Sequence, residues 1–145
     1  MKACELLWRT FGVLNAAVGE AEPALQALGL DPKQMYLLSL LDHHPHPAEL
    51  SRAMVTPAPT VTFLIKRAEA DGFVKRYAVA GDLRKHRLTL TAKGRRVMER
   101  GREAMDEAFA RRLATLSASE RKAFERTVVQ LETSPTPSLK THGSK

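Results

Sequence analysis

A single cysteine, Cys4, leaves this chain no way to build an intramolecular disulfide framework, and it suits a reducing compartment. Long apolar runs are missing too. None approaches the roughly 18–20 residues that span a bilayer, so no membrane partner is expected. The first residues lack the basic-then-apolar layout of a secretory signal, and a cytoplasmic protein is expected. Aromatic residues make up only 6% of the 145 residues and hydrophobic residues 43%, which suits one globular domain of ordinary composition. There is no internal repeat. A Gly-rich phosphate loop, a nucleophile elbow and a paired-cysteine motif are all absent, and the Ser, His and Asp residues have no nucleophile spacing. Neither an enzyme nor a cofactor is expected.

What the chain has is positive charge in one block. Residues 48–100 carry twelve Lys and Arg against five acids, a net of +7, which equals the formal charge of the whole chain. The flanks come to −2 and +2 and cancel. A basic excess confined to one block is an electrostatic footprint for a polyanion.

Within that block, Thr56 to Gly94 has the layout of a winged helix-turn-helix. Thr56-Pro57 is a capped helix start. Val61, Leu64, Ile65 and Ala68 fall on one side of the following helix, at about 100° per residue, and are expected to pack on the domain. Pro59, Thr62, Phe63, Lys66 and Arg67 fall on the other. Thr60 and Thr62 can donate to phosphate, and Lys66 and Arg67 can reach phosphates or guanine edges. Phe63 has no folding reason to face outward and could touch a thymine methyl, although a singly exposed Phe is tolerated on surfaces. Pro57 and Pro59 remove two amide donors from the first turn, so side chains must supply more of the phosphate grip. A short hairpin follows. Val74, Arg76 and Ala78 alternate with Lys75, Tyr77 and Val79, and Leu88 and Leu90 anchor the return strand. Its tip is expected at Gly81-Asp82-Leu83-Arg84-Lys85. Gly81 permits the bend, Asp82 can hold Arg84 by a charge-assisted hydrogen bond, and Arg84 is the natural minor-groove probe. Double-stranded DNA is the expected partner. Its expected contacts are Arg52, Thr56, Pro59, Thr60, Thr62, Phe63, Lys66, Arg67, Arg84 and Lys85, with Gly81 and Asp82 supporting the wing.

The flanking segments read as helices. Leu7, Phe11, Leu14 and Val18 are at helical spacing from about Glu5, and Leu25 and Leu28 extend the stripe past an expected kink at Pro23. Asp31-Pro32 restarts a helix, with Gln34 where a capping box closes and Leu37, Leu40 and Leu41 inward. Pro47 starts a short helix carrying Leu50, Ala53 and Met54. Thr91 can cap a long helix whose stripe is Val97, Met98, Gly101, Met105, Ala108, Phe109, Leu113 and Leu116. Ser117-Ala118-Ser119-Glu120 is a second capping box, before a helix with Phe124, Val128 and Leu131 inward. Residues 134–145 have no periodic pattern and are expected to be disordered. The fold class is therefore mainly α with a small β-hairpin wing. Residues 31–99 form the winged helix-turn-helix, and residues 1–30 and 100–133 a helical dimerisation region, because long apolar helices beyond a winged core need a surface to cover. Helices that merely wrap their own winged helix are the alternative.

Several of these segments together resemble the MarR family of bacterial transcription regulators. They are Thr60-Val61-Thr62 through Arg67, Asp71-Gly72-Phe73-Val74-Lys75-Arg76, Asp82-Leu83-Arg84, and Leu90-Thr91-Ala92-Lys93-Gly94. Glu49-Leu50-Ser51-Arg52-Ala53-Met54 matches that family's first helix of the helix-turn-helix, and the resemblance covers residues from about 5 to 132. It implies a homodimer on a pseudo-palindromic operator, usually repressing, with DNA released by a small-molecule effector or an oxidant. A nonspecific architectural DNA binder and a winged-helix protein-interaction module are the competing functions.

Two other constellations carry less. Asp42-His43-His44-Pro45-His46 has residue types that suit zinc, but two prolines break it and no His-x-x-x-His spacing occurs, so no metal site is expected. Cys4 near the chain end has no second cysteine to resolve an oxidised thiol, which favours a plain cysteine over a peroxide sensor.

Overall fold

The computed structural model describes residues 1–133 apart from the side chains of Leu83 and Arg84, so the disorder expected at 134–145 lies outside the described residues. The elements run α1 (Ala3–Ala27), α2 (Pro32–Leu40), α3 (Pro47–Ala53), α4 (Ala58–Ala70), β1 (Val74–Val79), β2 (Asp82–Leu90), α5 (Ala92–Leu113) and α6 (Ala118–Thr133). They fall into two compact units, Met1–Ala110 and a second that begins at Arg111.

The core of the first unit gathers one face of each helix. Leu25, Leu37, Leu38, Leu50, Val61, Ile65 and Leu88 are fully buried, with Phe73, Val74 and Met98 beside them. Each large aliphatic side chain so buried stabilises by about 1.5–3 kcal/mol. On α4 the buried set is Val61, Leu64, Ile65 and Ala68, as the helical spacing requires.

Asp31 starts α2 by accepting the Gln34 amide at 2.8 Å. The expected capping box does not close, because the Gln34 side chain turns into the core, 0% exposed, and its Nε2 donates to the Leu64 carbonyl at 3.4 Å. The second box does close. Ser117 N donates to Glu120 Oε2 at 2.8 Å, and Glu120 N donates back to Ser117 Oγ at 3.4 Å.

Pro23 lies inside α1, which runs without a break from Ala3 to Ala27. Leu7, Phe11 and Leu14 are exposed, and α1 buries only Ala17, Ala21 and Leu25. Phe124, Val128 and Leu131 were expected inward, yet α6 buries no residue and all three are exposed. On α5, Met98, Gly101 and Ala108 are buried, while Leu116 beyond its end is exposed. The apolar spacing is helical in each case, but among the described residues these stripes are exposed.

The exit from the hairpin is a tight clamp. Thr91 N donates to the Phe73 carbonyl at 2.9 Å, Thr91 Oγ1 donates to the Gly72 carbonyl at 2.6 Å, and Gly94 N donates to Thr91 Oγ1 at 2.9 Å. A Cβ on Gly94 would lie 1.9 Å from the Phe73 carbonyl oxygen, so only glycine fits. Leu90-Thr91-Ala92-Lys93-Gly94 thus fixes the start of α5 to the turn between α4 and β1.

Candidate nucleic-acid interface

The turn between α3 and α4 is held from inside. Ser51 Oγ donates to the Thr56 carbonyl at 2.6 Å, and Thr56 Oγ1 donates to the Met54 carbonyl at 3.0 Å. Thr56 therefore braces the turn and does not cap α4. The N-cap position falls on Pro57, one residue later, and no side chain bonds there. Val55 takes a positive φ of 50° in this turn and is 91% exposed.

Beyond the turn, α4 presents Pro59, Thr62, Phe63 and Lys66 outward, with Phe63 64% exposed and Thr60 half-buried. Arg67 differs from its neighbours. Its guanidinium bonds the Asp31 carboxylate at 2.5 Å and lies 3.9 Å from Asp71, so its charge is already engaged within the domain. Arg52 is exposed on α3 and borders two clefts, one of them beside the hairpin.

The hairpin pairs Val74 with Leu90, Lys75 with Thr89, Arg76 with Leu88, Tyr77 with Arg87 and Ala78 with His86. The register then jumps, so that Val79 opposes Asp82. The turn is Ala80-Gly81, with Gly81 at φ 84°, and residues 83–85 bulge from β2. The tip expected at Gly81–Lys85 is thus a two-residue turn followed by a bulge, because a glycine with positive φ closes the turn at once. Lys85 on this bulge is exposed. The Arg84 side chain, and with it the expected Asp82–Arg84 hydrogen bond, lies outside the described residues.

The hairpin is braced from two sides. Arg76 Nε and Nη2 donate to both oxygens of Glu69 on α4, at 3.0 and 3.1 Å. The loop before α3 holds β2, with Leu88 N donating to the Pro45 carbonyl at 2.7 Å and His46 Nδ1 3.0 Å from the His86 carbonyl. Asp42 receives both Nη atoms of Arg95 at 3.1 and 3.2 Å, and this hydrogen bonding holds its carboxyl below the ordinary carboxylate range. His43 and His44 line a cleft with Glu49 and Arg52. Cys4 is exposed on the first turn of α1. No described helix is long and apolar enough to cross a membrane.

Sequence spacing missed these braces. Asp31 and Arg67 are 36 residues apart and Asp42 and Arg95 are 53 apart. Only the Glu69–Arg76 pair, seven residues apart across one turn, was near enough in sequence to look for.

A helix presenting an exposed polar and aromatic face, next to a braced basic hairpin, defines a winged helix-turn-helix DNA-binding protein. A model of the MarR family matches residues 28–85. The HTH-type transcriptional repressor Rv2887 of Mycobacterium tuberculosis (strain ATCC 25618 / H37Rv) is 37% identical over 129 residues, 87% of this chain and 90% of the relative. Two crystal structures of the M. tuberculosis MarR family protein Rv2887 are also similar. The complex with DNA gives a TM-score of 0.72 at 28% identity, covering 90% of this chain and 98% of that one. The complex with p-aminosalicylic acid gives 0.75 at 30% identity, covering 92% and 100%. The chain belongs to the MarR family and is a DNA-binding transcriptional regulator.

Proposed function

We propose that this regulator is a repressor that works as a homodimer on a pseudo-palindromic operator. Residues 31–99 would form the DNA-binding region, and residues 1–30 and 100–133 the dimerisation region. The observation that carries the proposal is the clean division of α4. Val61, Leu64, Ile65 and Ala68 bury completely, and Thr62, Phe63 and Lys66 are left outward beside the hairpin. In this arrangement α4 enters the major groove, where Phe63 meets a thymine methyl and Lys66 a phosphate or guanine edge. Thr60, Thr62, Pro59 and Arg52 line the approach to the backbone, the exposed Lys85 meets phosphate from the wing, and Arg84 is the proposed minor-groove contact. Thr56 and Arg67 act from within, Thr56 by bracing the turn and Arg67 by fixing α4 to Asp31. The exposed stripes Leu7-Phe11-Leu14 and Phe124-Val128-Leu131 support a second copy as their cover. A regulator that acts on DNA would work in the cytoplasm.

Release by a small molecule is part of the same proposal. A cleft of about 440 Å³ lies among Val18 of α1, Pro32, Met35 and Tyr36 of α2, and Arg102 and Met105 of α5. An apolar cleft bordered by Arg102 and Lys33 fits a small aromatic acid, the class to which the p-aminosalicylic acid bound by a relative belongs.

The test is the Arg84→Ala variant. It should fold as the parent does, bind an operator fragment at least tenfold more weakly, and show a flatter salt dependence by about one phosphate contact per reading head. Unchanged affinity and salt slope would remove the wing from the interface.

A further inference from the structure

A cleft of about 570 Å³ opens between α3 and the hairpin, bordered by His46, Glu49, Arg52, Lys85 and His86. The His46 ring has a fixed place in it. Its Nδ1 lies 3.0 Å from the His86 carbonyl oxygen, and the neighbouring Pro45 carbonyl accepts Leu88 N at 2.7 Å, so this loop is stitched to β2. A carbonyl oxygen only accepts, so Nδ1 carries the ring hydrogen. In the neutral ring Nε2 is then a bare acceptor. A phosphate oxygen is also an acceptor, and the neutral ring has nothing to offer it. The protonated ring donates from both nitrogens, one to His86 and one to the phosphate.

We propose that a DNA phosphate enters this cleft between Arg52 and Lys85 and that His46 takes up a proton as it binds, so that DNA affinity rises as pH falls. The inference rests on the DNA-binding mode proposed above and adds proton control to it. The proton comes from solvent and goes to Nε2, and no covalent bond is made or broken. The groups around His46 set the direction. Arg52 and Glu49 of α3 and Lys85 and His86 of β2 are the charged and titratable groups that share its cleft. On the same loop, His43 and His44 line a separate cleft, and Asp42 is held by Arg95. An arriving phosphate brings negative charge against Arg52 and Lys85, so the charged imidazole is more favourable in the complex than in the free protein. A group that holds its proton more tightly in the complex gives affinity that is full at low pH and is lost as pH rises.

The test is the affinity of the full chain for a short duplex of unrelated sequence, at fixed ionic strength, from about pH 6 to about pH 8, where imidazoles change charge. Phosphate contacts carry no base identity, so no operator is needed. The parent protein should weaken roughly five- to tenfold across that range, the effect of an average uptake of roughly a third to half a proton over two pH units. His46→Asn keeps a donor toward the His86 carbonyl and a good cap for α3 but does not titrate. Its affinity should match the parent at the upper end and stay flat. His86→Gln keeps the carbonyl and should keep the slope. A flat parent profile overturns the proposal, as does an undiminished slope in His46→Asn or loss of the slope in His86→Gln alone. Calorimetry of the parent in two buffers of different ionisation enthalpy checks the point without any variant, and no proton uptake near pH 7 also overturns it. Failure to bind the duplex at any pH would instead remove the DNA-binding mode itself, a result distinct from a flat profile.

Discussion

Asp31 serves two helices with one carboxylate. Its Oδ1 accepts the Gln34 amide that starts α2, and its Oδ2 binds the Arg67 guanidinium of α4. One residue therefore sets both where α2 begins and how α4 lies against it. Asp31→Ala should destabilise the protein by about 1–2 kcal/mol, the usual effect of losing a cap. Asp31→Asn keeps the cap and loses only a partly exposed ion pair, so its loss should stay under about 1 kcal/mol. Chemical denaturation of both variants checks this, and equal losses would mean that the cap contributes nothing separate.

Val55 carries strain at the turn of the helix-turn-helix. A β-branched residue at φ 50° costs about 1–2 kcal/mol, and its exposed side chain returns almost nothing. Val55→Asn should raise stability by about 1 kcal/mol and leave DNA affinity near the parent's. Lower stability in that variant would show that the Val55 side chain makes a contact worth more than the strain.

Gly94→Ala has a sign that separates two accounts. At an ordinary exposed helical position alanine stabilises by about 1 kcal/mol. Here its Cβ would sit 1.9 Å from the Phe73 carbonyl oxygen, a backbone atom that cannot swing away. A loss of about 3 kcal/mol or more is expected, seen as a large fall in Tm. A neutral or stabilising result would contradict the clamp.

Phe63 is exposed, so Phe63→Ala should change stability by no more than about 0.5 kcal/mol. If its ring meets a thymine methyl, discrimination at one base pair per half-site should fall by roughly 1–3 kcal/mol. Binding to unrelated DNA should change far less. Thermal melts beside a set of single-base operator variants decide this, and an unaltered base preference would take Phe63 out of the reading surface.

Much of this was legible because local rules and tertiary packing agreed. The four buried residues of α4, the cap at Asp31, the Ser117–Glu120 box and the Thr91 cap all follow from short spacings, and the Leu90–Gly94 run has a steric cause. Three features of the site were not legible. Thr56 looked like a cap, but its oxygen bonds backward to Met54 because the following proline takes the cap position. Arg67 looked free, since nothing in its neighbourhood announces Asp31. The hairpin tip was drawn too wide, because a bulge within β2 leaves no mark in an alternating pattern. The stripe of α6 read as inward for a different reason. Periodicity reports that a face needs cover, and does not say which chain supplies it.

The central claim is that two copies of this chain read a symmetric DNA site through α4 and the wing, and selection of bound sequences from random DNA tests it most directly. The account predicts an enriched inverted repeat whose half-sites are centred about one helical turn apart, roughly 34 Å. Salt-sensitive binding with no enriched repeat would contradict it and point to a sequence-blind DNA binder.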